Sequence, residues 1–552
     1  MTSGQRNAED HFVFKKHDDI GAAAAEDDSL FLADCFVDTG DLDHLMNCSD
    51  PKRIIVGRTG AGKSALLRRL ETDCPNVIRL SPHSLSLNYV ANNHLITFFE
   101  ESGVNLSIFY GLLWKHILVV ELLKQKFNIK DETSQKNYMR HIRSIVYKKD
   151  RIKELAVEYF ETWGNKFWLT TEERMHELTE RVEQKLAATL AGSSLGVEAS
   201  LEAAKSLSTE AKKEFIDRGQ KAVSEVQVRE LENMISVLAD DIFNDHQEHY
   251  YISIDYLDEE WADDRIRFKL IKALIDTVRR FRKINNVKII IALRQDLLDK
   301  VLHSSHESGF QEEKYESLYL ELRWSEKALQ ELIDKRIQFL VKRRYTKTEV
   351  TCKDVFPASI DGKPPISYIV ARTFHRPRDA ILFVNECISR AEDHEAITAK
   401  NIKKAEEEYS YKRLQSLATE WLIVYPELEH IMLMFHGMRD HFPVSEITEE
   451  FLFERYMEMS EHVAKQEQDP LIRLLNKAFG EKSANFTSIR NTFLRELFLT
   501  GFIGIKTGPS STVSWSTDTR LSIAPGQLKP SSLIFIHPMF HRALGVNSKN
   551  TH

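Results

Sequence analysis

One short stretch of the sequence has residue types and spacing that suit phosphate chemistry. It reads Gly57-Arg58-Thr59-Gly60-Ala61-Gly62-Lys63-Ser64 and matches G-x-x-x-x-G-K-[ST] at every fixed position. In such a loop the glycines let backbone N–H groups turn toward phosphate oxygens. The lysine reaches the β- and γ-phosphates, and the serine hydroxyl binds Mg²⁺. The stretch therefore predicts a P-loop for ATP or GTP, with Lys63 on the phosphates and Ser64 on the metal.

The segments on either side of the loop agree with this interpretation. RIIVG, at 53–57, is a continuous apolar run typical of a parallel strand that is buried on both faces. SALLRRLE follows at once with helical spacing, and the positive end of a helix favours bound phosphate. The alternative is a chance glycine-rich turn, which would not need a strand before it and a helix after it.

Four acidic residues follow or end another apolar strand, YYISID at 250–255. They are Asp255, Asp258, Glu259 and Glu260. Ligands lie beyond the carboxyl ends of strands in open α/β sheets, so we expect Asp255 to contact Mg²⁺ through water. Asp258 or Glu259 would polarise the attacking water, and the sequence does not choose between them. An acidic loop that only solvates the strand end is the alternative.

Three arginines are candidates for contact with the γ-phosphate. Arg294 ends the apolar run VKIIIALR, and Arg376 and Arg378 open a helix within HRPRDA. Arginines can stabilise the charge that grows on a transferred phosphoryl group. The competing interpretation is a strand-end salt bridge for Arg294 and a surface position for the other two.

The fold class follows from the alternation of strands and helices. Further strands are expected at 76–81, 287–294 and 317–324, and strand–helix alternation is typical of an α/β protein with a parallel sheet. From about 105 to 248 helical spacing interrupts this pattern, which predicts a helical insertion. Near the C-terminus, FIGIKTG, VSWSTD and SLIFIHP are expected to be short strands.

Four segments result from this organisation. We expect a lead-in at 1–50 beside the nucleotide domain, a P-loop core at 51–325, a helical lid at 326–420 and a winged-helix-like domain at 421–552. A chain of 552 residues is long enough for several such domains.

Composition and charge exclude several classes of protein. The chain is 42% hydrophobic and has a formal net charge of −8, which gives no general attraction to nucleic acid or anionic lipid. Its five cysteines are widely spaced without a CxxC pair, which argues against a disulfide framework and a structural zinc site. The N-terminus lacks the apolar core of a signal peptide, and FYGLLWKHILVVELL is too short to span a bilayer. A cytoplasmic protein without membrane contact is expected.

Contact with DNA stays open. The basic runs at 278–283 and 341–347 lie on predicted helices, where such runs usually form a solvated face. Arg490 and Arg495, on the predicted helix NFTSIRNTFLRELF, could form a small cationic face of the kind that a DNA-binding winged helix needs.

With these residues in view, the chain resembles a family of bacterial P-loop ATPases of FunZ type, related to the STAND and AAA+ ATPases. The similarity runs from about 33 to 545 through CFVDTGD, IIVGRTGAGKSALLRRLE, YYISIDYLDEEWADDR, VKIIIALRQDLL, FQEEKYESLYLELRW and RPRDAILFVNECI. The block DYLDEEW is similar to the D-x-x-D-E form of the NACHT and KAP relatives. Tyr256 is a departure, because those relatives often have Gly or another small residue at this position.

The resemblance implies an additional-strand ATPase core, a helical lid and a C-terminal winged helix. It also implies that Asp255 is the metal acid and that Asp258 and Glu259 are the further acids. Mobile-element or phage-defence contexts are associated with the family.

Three functions are consistent with these features. The first is a regulatory switch ATPase, in which hydrolysis moves the lid and the helical insertion binds a protein partner or a second copy. The second is an ATPase that acts on double-stranded DNA through its winged helix. The third is a nucleotide-binding scaffold without turnover, which would not need the second acid. ATP is favoured over GTP because no N/T-K-x-D tetrapeptide follows the acidic strand.

Overall fold

The chain forms two compact units. The computed structural model describes residues 12–85, 103–128, 238–245, 247–303, 313–343, 350–422, 424–460, 469–480, 485–517 and 523–547, with isolated positions between 87 and 236. The sheet unit comprises Asp38–Arg58 and Lys63–Leu322. The C-terminal unit comprises Met1–Val37, Thr59–Gly62 and Arg323–His552. The tip of the glycine-rich loop thus belongs to the C-terminal unit, and the two ends of the loop belong to the sheet unit.

Five parallel strands form the centre of the sheet unit. They are β1 (Ile54–Gly57), β2 (Val77–Leu80), β3 (Tyr250–Ile254), β4 (Val287–Arg294) and β5 (Tyr319–Glu321). Their order across the sheet is β2-β3-β4-β1-β5, and every neighbouring pair is parallel. The predicted α/β class is confirmed. The fifth strand is three residues long, shorter than the predicted 317–324.

The three central strands, β3, β4 and β1, form where the sequence has continuous hydrophobic runs. Every residue of β1 and β3 is buried, as is β4 up to its last residue, because both faces of a parallel sheet are covered. Gly57 pairs with Arg294 and Ile254 pairs with Ile291. This register brings the carboxyl ends of β1, β4 and β3 to one edge of the sheet.

Sixteen α-helices occur within the described residues. They are α1 (Ser29–Asp34), α2 (Asp41–Met46), α3 (Lys63–Asp73), α4 (Ser107–Phe127), α5 (Asp264–Phe281), α6 (Gln295–His303), α7 (Glu313–Glu316), α8 (Glu326–Lys342), α9 (Cys352–Val355), α10 (Pro365–Val370), α11 (Pro377–Ser389), α12 (Ala399–Glu420), α13 (Leu428–Leu433), α14 (Glu449–Ser460), α15 (Pro470–Gly480) and α16 (Phe486–Thr500).

The long helix α4 packs on α5 within the sheet unit. The indole Nε1 of Trp114 donates to the carbonyl of Leu270 over 2.9 Å, so a buried polar group is satisfied at the contact. α4 is the described part of the predicted insertion at 105–248, together with a π-helical turn at Leu238–Ile242. The remainder of that insertion lies outside the described residues, apart from isolated positions. Within the parts of the chain that the structure covers, no helix combines the length and apolar character needed to cross a membrane.

Helices dominate the C-terminal unit. Ser325 caps α8 by accepting from the Ala328 N–H over 3.1 Å, and α11 begins at Pro377, a residue suited to the first turn of a helix. The rings of Phe383 on α11 and Tyr409 on α12 stack with centroids 4.4 Å apart. The predicted lid and the C-terminal segment thus share one apolar core.

The N-terminal residues also pack in this unit. The Phe14 N–H donates to the His394 carbonyl over 3.0 Å, and Phe14 is fully buried. Residues 12–37 therefore belong to the C-terminal unit, whereas the sequence suggested a lead-in beside the nucleotide domain.

A small antiparallel sheet lies in the last third of the chain. Its order is β6-β8-β7, with β6 at His441–Pro443, β7 at Ile503–Lys506 and β8 at Leu533–Ile536. Two of its strands were predicted, and β6 was not. The predicted strand in VSWSTD is wrong: Ser514 makes only an isolated bridge, and the Trp515 ring lies so close to Gly504 that a Cβ there would be 2.8 Å from it.

One buried ion pair ties the N-terminal residues to α8. Arg336 Nη1 lies 3.2 Å from Asp28 Oδ1, and both side chains are 4% exposed. The same Nη1 donates to the Ile20 carbonyl over 2.7 Å. Removal of one partner from such a pair leaves an uncompensated buried charge, whereas removal of both does not.

We expect Asp28→Leu to lower the free energy of unfolding of the C-terminal unit by about 3–5 kcal/mol. The double variant Asp28→Leu/Arg336→Met should recover at least half of that loss, because no unpaired charge remains. Urea unfolding followed by circular dichroism measures the free energy of unfolding of both variants. Equal destabilisation by the single and double variants would contradict this prediction.

Candidate functional site

The glycine-rich loop leads from β1 into α3, as predicted. Gly60 and Gly62 have φ values of +79° and +100°, a left-handed region that glycine adopts without strain. Lys63, the first residue of α3, folds back over the loop and donates from Nζ to the carbonyls of Gly57 at 3.0 Å and Arg58 at 3.2 Å. Its ammonium is thus held over the start of the loop.

Burial lowers the pKa of Lys63 below its usual value, and Asp258 and Asp255 partly oppose this shift. The lysine therefore lies in a water-poor environment, where water screens its charge less than at an exposed site.

Ser64 and Asp255 meet although 191 residues separate them in the sequence. The Ser64 hydroxyl donates to Asp255 Oδ2 over 2.8 Å, and the Tyr256 N–H donates to Asp255 Oδ1 over 2.9 Å. Asp255 is 7% exposed, and burial raises the pKa of its carboxyl. A hydroxyl and a desolvated carboxylate suit a hard divalent cation such as Mg²⁺, which binds through one or two protein oxygens and keeps several waters. The described residues contain no group of three or more His, Cys, Asp or Glu side chains arranged to hold a metal.

Tyr256, the residue at which the acidic block departs from the pattern that it resembles, has a backbone conformation that glycine adopts without strain. Its φ is +64°, a value that costs a residue with a side chain about 1–2 kcal/mol. Its hydroxyl accepts from Arg79 Nη2 over 3.0 Å, and the Arg79 guanidinium lies 5.6 Å from the ring centroid. The turn after β3 therefore has a shape for which Gly is suited, and here a tyrosine with side-chain contacts adopts it.

The two candidate acids have different surroundings. Asp258 Oδ2 lies 3.9 Å from Arg294 Nε, and Glu259 Oε2 lies 3.1 Å from Nε2 of His83. Arg267 also donates to the Glu259 carbonyl over 2.9 Å, which fixes the backbone at this position. Both acids follow β3 on the same turn as Asp255.

Arg294 is held by its neighbour in the sequence. Its Nε and Nη2 donate to the two carboxylate oxygens of Asp296 at 3.0 and 2.8 Å. Its predicted contact with a phosphate stays a prediction. The structure does place it at the sheet edge beside Gly57.

Two residues near these acids were not found from the sequence. Arg79 lies on β2 and His83 follows it, and β2 pairs with β3 so that Leu80 is opposite Ile254. The predicted strand at 76–81 was the available signal, since its carboxyl end had to face the acids once the two strands were paired.

The tip of the loop contacts three other residues of its own unit, the C-terminal unit. Arg376 Nη1 donates to the Thr59 carbonyl over 2.7 Å, and Trp324 Nε1 donates to the Ala61 carbonyl over 2.9 Å. The backbone N–H of Arg378 lies 3.4 Å from the carbonyl of Gly60. The predicted arginines therefore lie at the loop, and Trp324 joins them.

Arg376 is surrounded by carboxylates. Its Nε donates to Asp379 Oδ2 over 2.7 Å, and its Nη1 lies 3.4 Å from Glu420 Oε2. Burial alone would lower the pKa of Arg376, but Asp379 and Glu420 raise it above its usual value. Asp379 is fully buried and also binds Arg413 at 3.1 Å. The predicted phosphate contacts of Arg376 and Arg378 stay predictions.

The two arginines considered for DNA lie on α16. Arg490 is 7% exposed and donates to the Asn491 side chain, and Arg495 pairs with Glu496 over 2.6 Å. Arg490 is thus buried, and Arg495, whose side chain is 31% exposed, is paired with an acid; DNA contact through them stays a prediction.

We expect Asp255→Asn to stabilise the protein in EDTA at pH 7 by on the order of 1 kcal/mol. Burial raises the pKa of Asp255, so the native state binds this proton more tightly than the unfolded state. The ionised form therefore costs stability above the raised pKa, and that cost disappears as the pH falls toward the unfolded value. Urea unfolding of both proteins at pH 7 and pH 4 measures the difference, which should shrink at pH 4.

Asp73→Asn is the matched control, because Asp73 is an exposed residue at the end of α3. It should change stability little at either pH. A variant at Asp255 that is less stable than the wild type at pH 7 would contradict the prediction.

Comparison with known proteins adds two likenesses. Residues 327–418 match the family described as the FunZ-associated C-terminal helical domain, which spans α8 to α12. Along most of its length the chain is similar to the transposon gamma-delta 80.3 kDa protein of Escherichia coli (strain K12). The two are 22% identical over 556 residues, and the alignment covers 97% of this chain and 68% of that relative. The expected FunZ-type resemblance is thus supported for the helical region that follows the sheet unit.

Proposed function

We propose that this chain binds ATP with Mg²⁺ and hydrolyses it. The observation that carries the proposal is the 2.8 Å contact between Ser64 and Asp255. It joins the last residue of the loop motif to the acid at the end of a different strand. The strand order gives further support, because β4 lies between the strand that leads into the loop and the strand that leads into the acids. This is the order that an additional-strand ATPase needs.

Each residue of the site has a role in this proposal. The N–H groups of Gly60 to Gly62 and the Lys63 ammonium hold the phosphates. Ser64 binds the cation directly, and Asp255 binds it through water. A cation held there would supply positive charge that offsets the negative charge on the phosphates.

Glu259 orients the attacking water and accepts its proton. Its carboxylate lies 3.1 Å from the exposed His83, whereas Asp258 lies near the cationic Arg294. The Asp258 carboxylate thus faces the guanidinium that we assign to the phosphoryl group, and this leaves Glu259 as our choice for the base. Arg294 stabilises the charge on the phosphoryl group, and Arg376 and Arg378 connect the loop to the helical lid.

The biological role that we propose is that of a regulatory switch in a mobile-element or phage-defence setting. The relative named for a transposon supports the mobile-element setting. The same name favours a second candidate, an ATPase that acts on double-stranded DNA. The layout of α16 and the small antiparallel sheet supports a winged helix, but Arg490 and Arg495 are engaged within the protein. Turnover that rises with DNA at low salt and loses this rise at high salt would favour the second candidate.

We expect Lys63→Ala to abolish hydrolysis and to weaken ATP binding by at least about 10-fold, because the ammonium nearest the phosphates is lost. Isothermal titration calorimetry with Mg²⁺ and a non-hydrolysable ATP analogue measures the binding. Lys283→Ala, at an exposed position after α5, is the control and should behave as the wild type. Wild-type turnover in the Lys63 variant would contradict the proposal.

We expect Glu259→Gln to bind ATP normally and to slow turnover on the order of 10²-fold, the size of a lost general base. Steady-state phosphate release at saturating ATP measures the rate, and calorimetry measures the affinity. Asp258→Asn is the matched variant one residue earlier. If Asp258→Asn slows turnover in this way and Glu259→Gln does not, the base is Asp258.

A further inference from the structure

Three consecutive carbonyls at the loop tip each have a hydrogen-bond donor in the C-terminal unit. The Thr59 carbonyl accepts from Arg376, the Gly60 carbonyl from the backbone of Arg378, and the Ala61 carbonyl from Trp324. Glycine-rich turns at a protein surface usually leave such carbonyls to water. Here protein groups determine the direction of each one.

The direction of a carbonyl determines the direction of the next amide. A trans peptide unit is planar, so its C=O and its N–H point to opposite sides. When the carbonyls of residues 59, 60 and 61 are held from one side, the N–H groups of Gly60, Ala61 and Gly62 are turned to the other side. These are the three amides that a phosphate-binding loop directs at its ligand.

The donors are themselves rigidly placed. The Arg376 guanidinium is fixed by Asp379 at 2.7 Å, and the Asp379 carboxylate is fixed in turn by Arg413 and the Phe374 N–H, both at 3.1 Å. Because Arg376 donates to the loop from a buried cluster, it acts on the loop from a fixed position.

Gly60 has no side chain, and this allows the loop to lie close to Arg378. A Cβ at Gly60 would lie 2.6 Å from the Cβ of Arg378 and 2.9 Å from its Cδ. The Arg378 side chain is anchored on the far side, where Nε donates to the Ala23 carbonyl over 3.2 Å. Gly60 thus permits both the positive φ and the contact with Arg378.

We propose that Trp324, Arg376 and Arg378 are positioning residues that shape the loop for diphosphate binding from its outer side. This inference rests on the proposed nucleotide function. It predicts that the loss of one donor weakens the binding of every ligand whose β-phosphate lies in the loop. The dissociation constants of ATP and ADP should therefore rise by the same factor. Loss of an arginine that contacts the γ-phosphate would weaken the binding of ATP alone.

The test uses Trp324→Phe in the full chain. This variant keeps an aromatic ring and removes only the indole N–H that binds the Ala61 carbonyl. Calorimetry with Mg²⁺ should show that the dissociation constants of ADP and of a non-hydrolysable ATP analogue both rise about 5-fold, which corresponds to one neutral hydrogen bond of about 1 kcal/mol. The stoichiometry and the thermal midpoint should stay at the wild-type values.

Trp421→Phe is the matched control. The indole nitrogen of Trp421 is buried and has no hydrogen-bond partner among the described residues, so its loss should leave both dissociation constants unchanged. Arg376→Lys is a second variant: it keeps a charge beside Asp379 but lacks the fork that also reaches the Thr59 carbonyl. Arg376→Lys should weaken the binding of ADP and of the ATP analogue to a similar degree.

The outcomes separate this inference from the proposed function. If the wild type binds neither nucleotide, the proposed function fails and this inference fails with it. If the wild type binds both, and Trp324→Phe and Arg376→Lys leave both constants unchanged, only the positioning role is overturned. Weakening of the ATP analogue alone, or an equal effect of Trp421→Phe, would also overturn it.

Discussion

Backbone hydrogen bonds between β1, β4 and β3 bring the ends of three strands to one edge of the sheet. Gly57 is opposite Arg294, and Ile254 is opposite Ile291, so the loop after β1 and the acids after β3 start from neighbouring positions. A shift of one residue in either register would turn Arg294 or Asp255 to the opposite face. The buried runs of β3 and β4 oppose such a shift, because it would rearrange side chains packed on both faces. The contact between Ser64 and Asp255 depends on this pairing.

Buried charges are handled differently in the two units. In the C-terminal unit, two buried charges have ionic partners: Arg336 pairs with Asp28, and Asp379 pairs with Arg376. In the sheet unit, Lys63 and Asp255 lie near each other, yet burial still lowers the pKa of the lysine and raises that of the aspartate. Incomplete compensation of this kind is common where a protein binds a charged ligand. These buried charges of the C-terminal unit are therefore matched by a partner, whereas in the sheet unit the burial of Lys63 and Asp255 is only partly compensated.

The sequence predicted those strands whose signal lies in residues close together along the chain. The strands at 54–57, 250–254 and 287–294 were predicted because continuous apolar runs of this length are distinctive. β6 was missed because it has three residues and ends in Pro443, so no period was available to detect. The strand expected around Ser514 failed because Trp515 covers Gly504 and makes its ring contact with His537 instead of extending a ladder.

The same distinction holds at the candidate site. Lys63, Ser64 and Asp255 were identified because each follows a strand within a recognisable pattern. Trp324 and His83 were not, because their contacts with Ala61 and Glu259 join positions 263 and 176 residues apart. Tyr256 is intermediate: the sequence pattern marked it as unusual, and its φ of +64° gives the physical reason.

The division of the loop between two units bears on how the chain can be cut into parts. The tip, Thr59–Gly62, packs with residues after 322, whereas both ends of the loop belong to the sheet unit. A fragment that stopped at Leu322 would contain every letter of the glycine-rich motif and all five strands of the parallel sheet. It would nevertheless lack the indole and the two arginines that hold the carbonyls of the tip. Boundaries drawn from the motif alone would therefore separate the tip of the loop from donors that belong to its own unit.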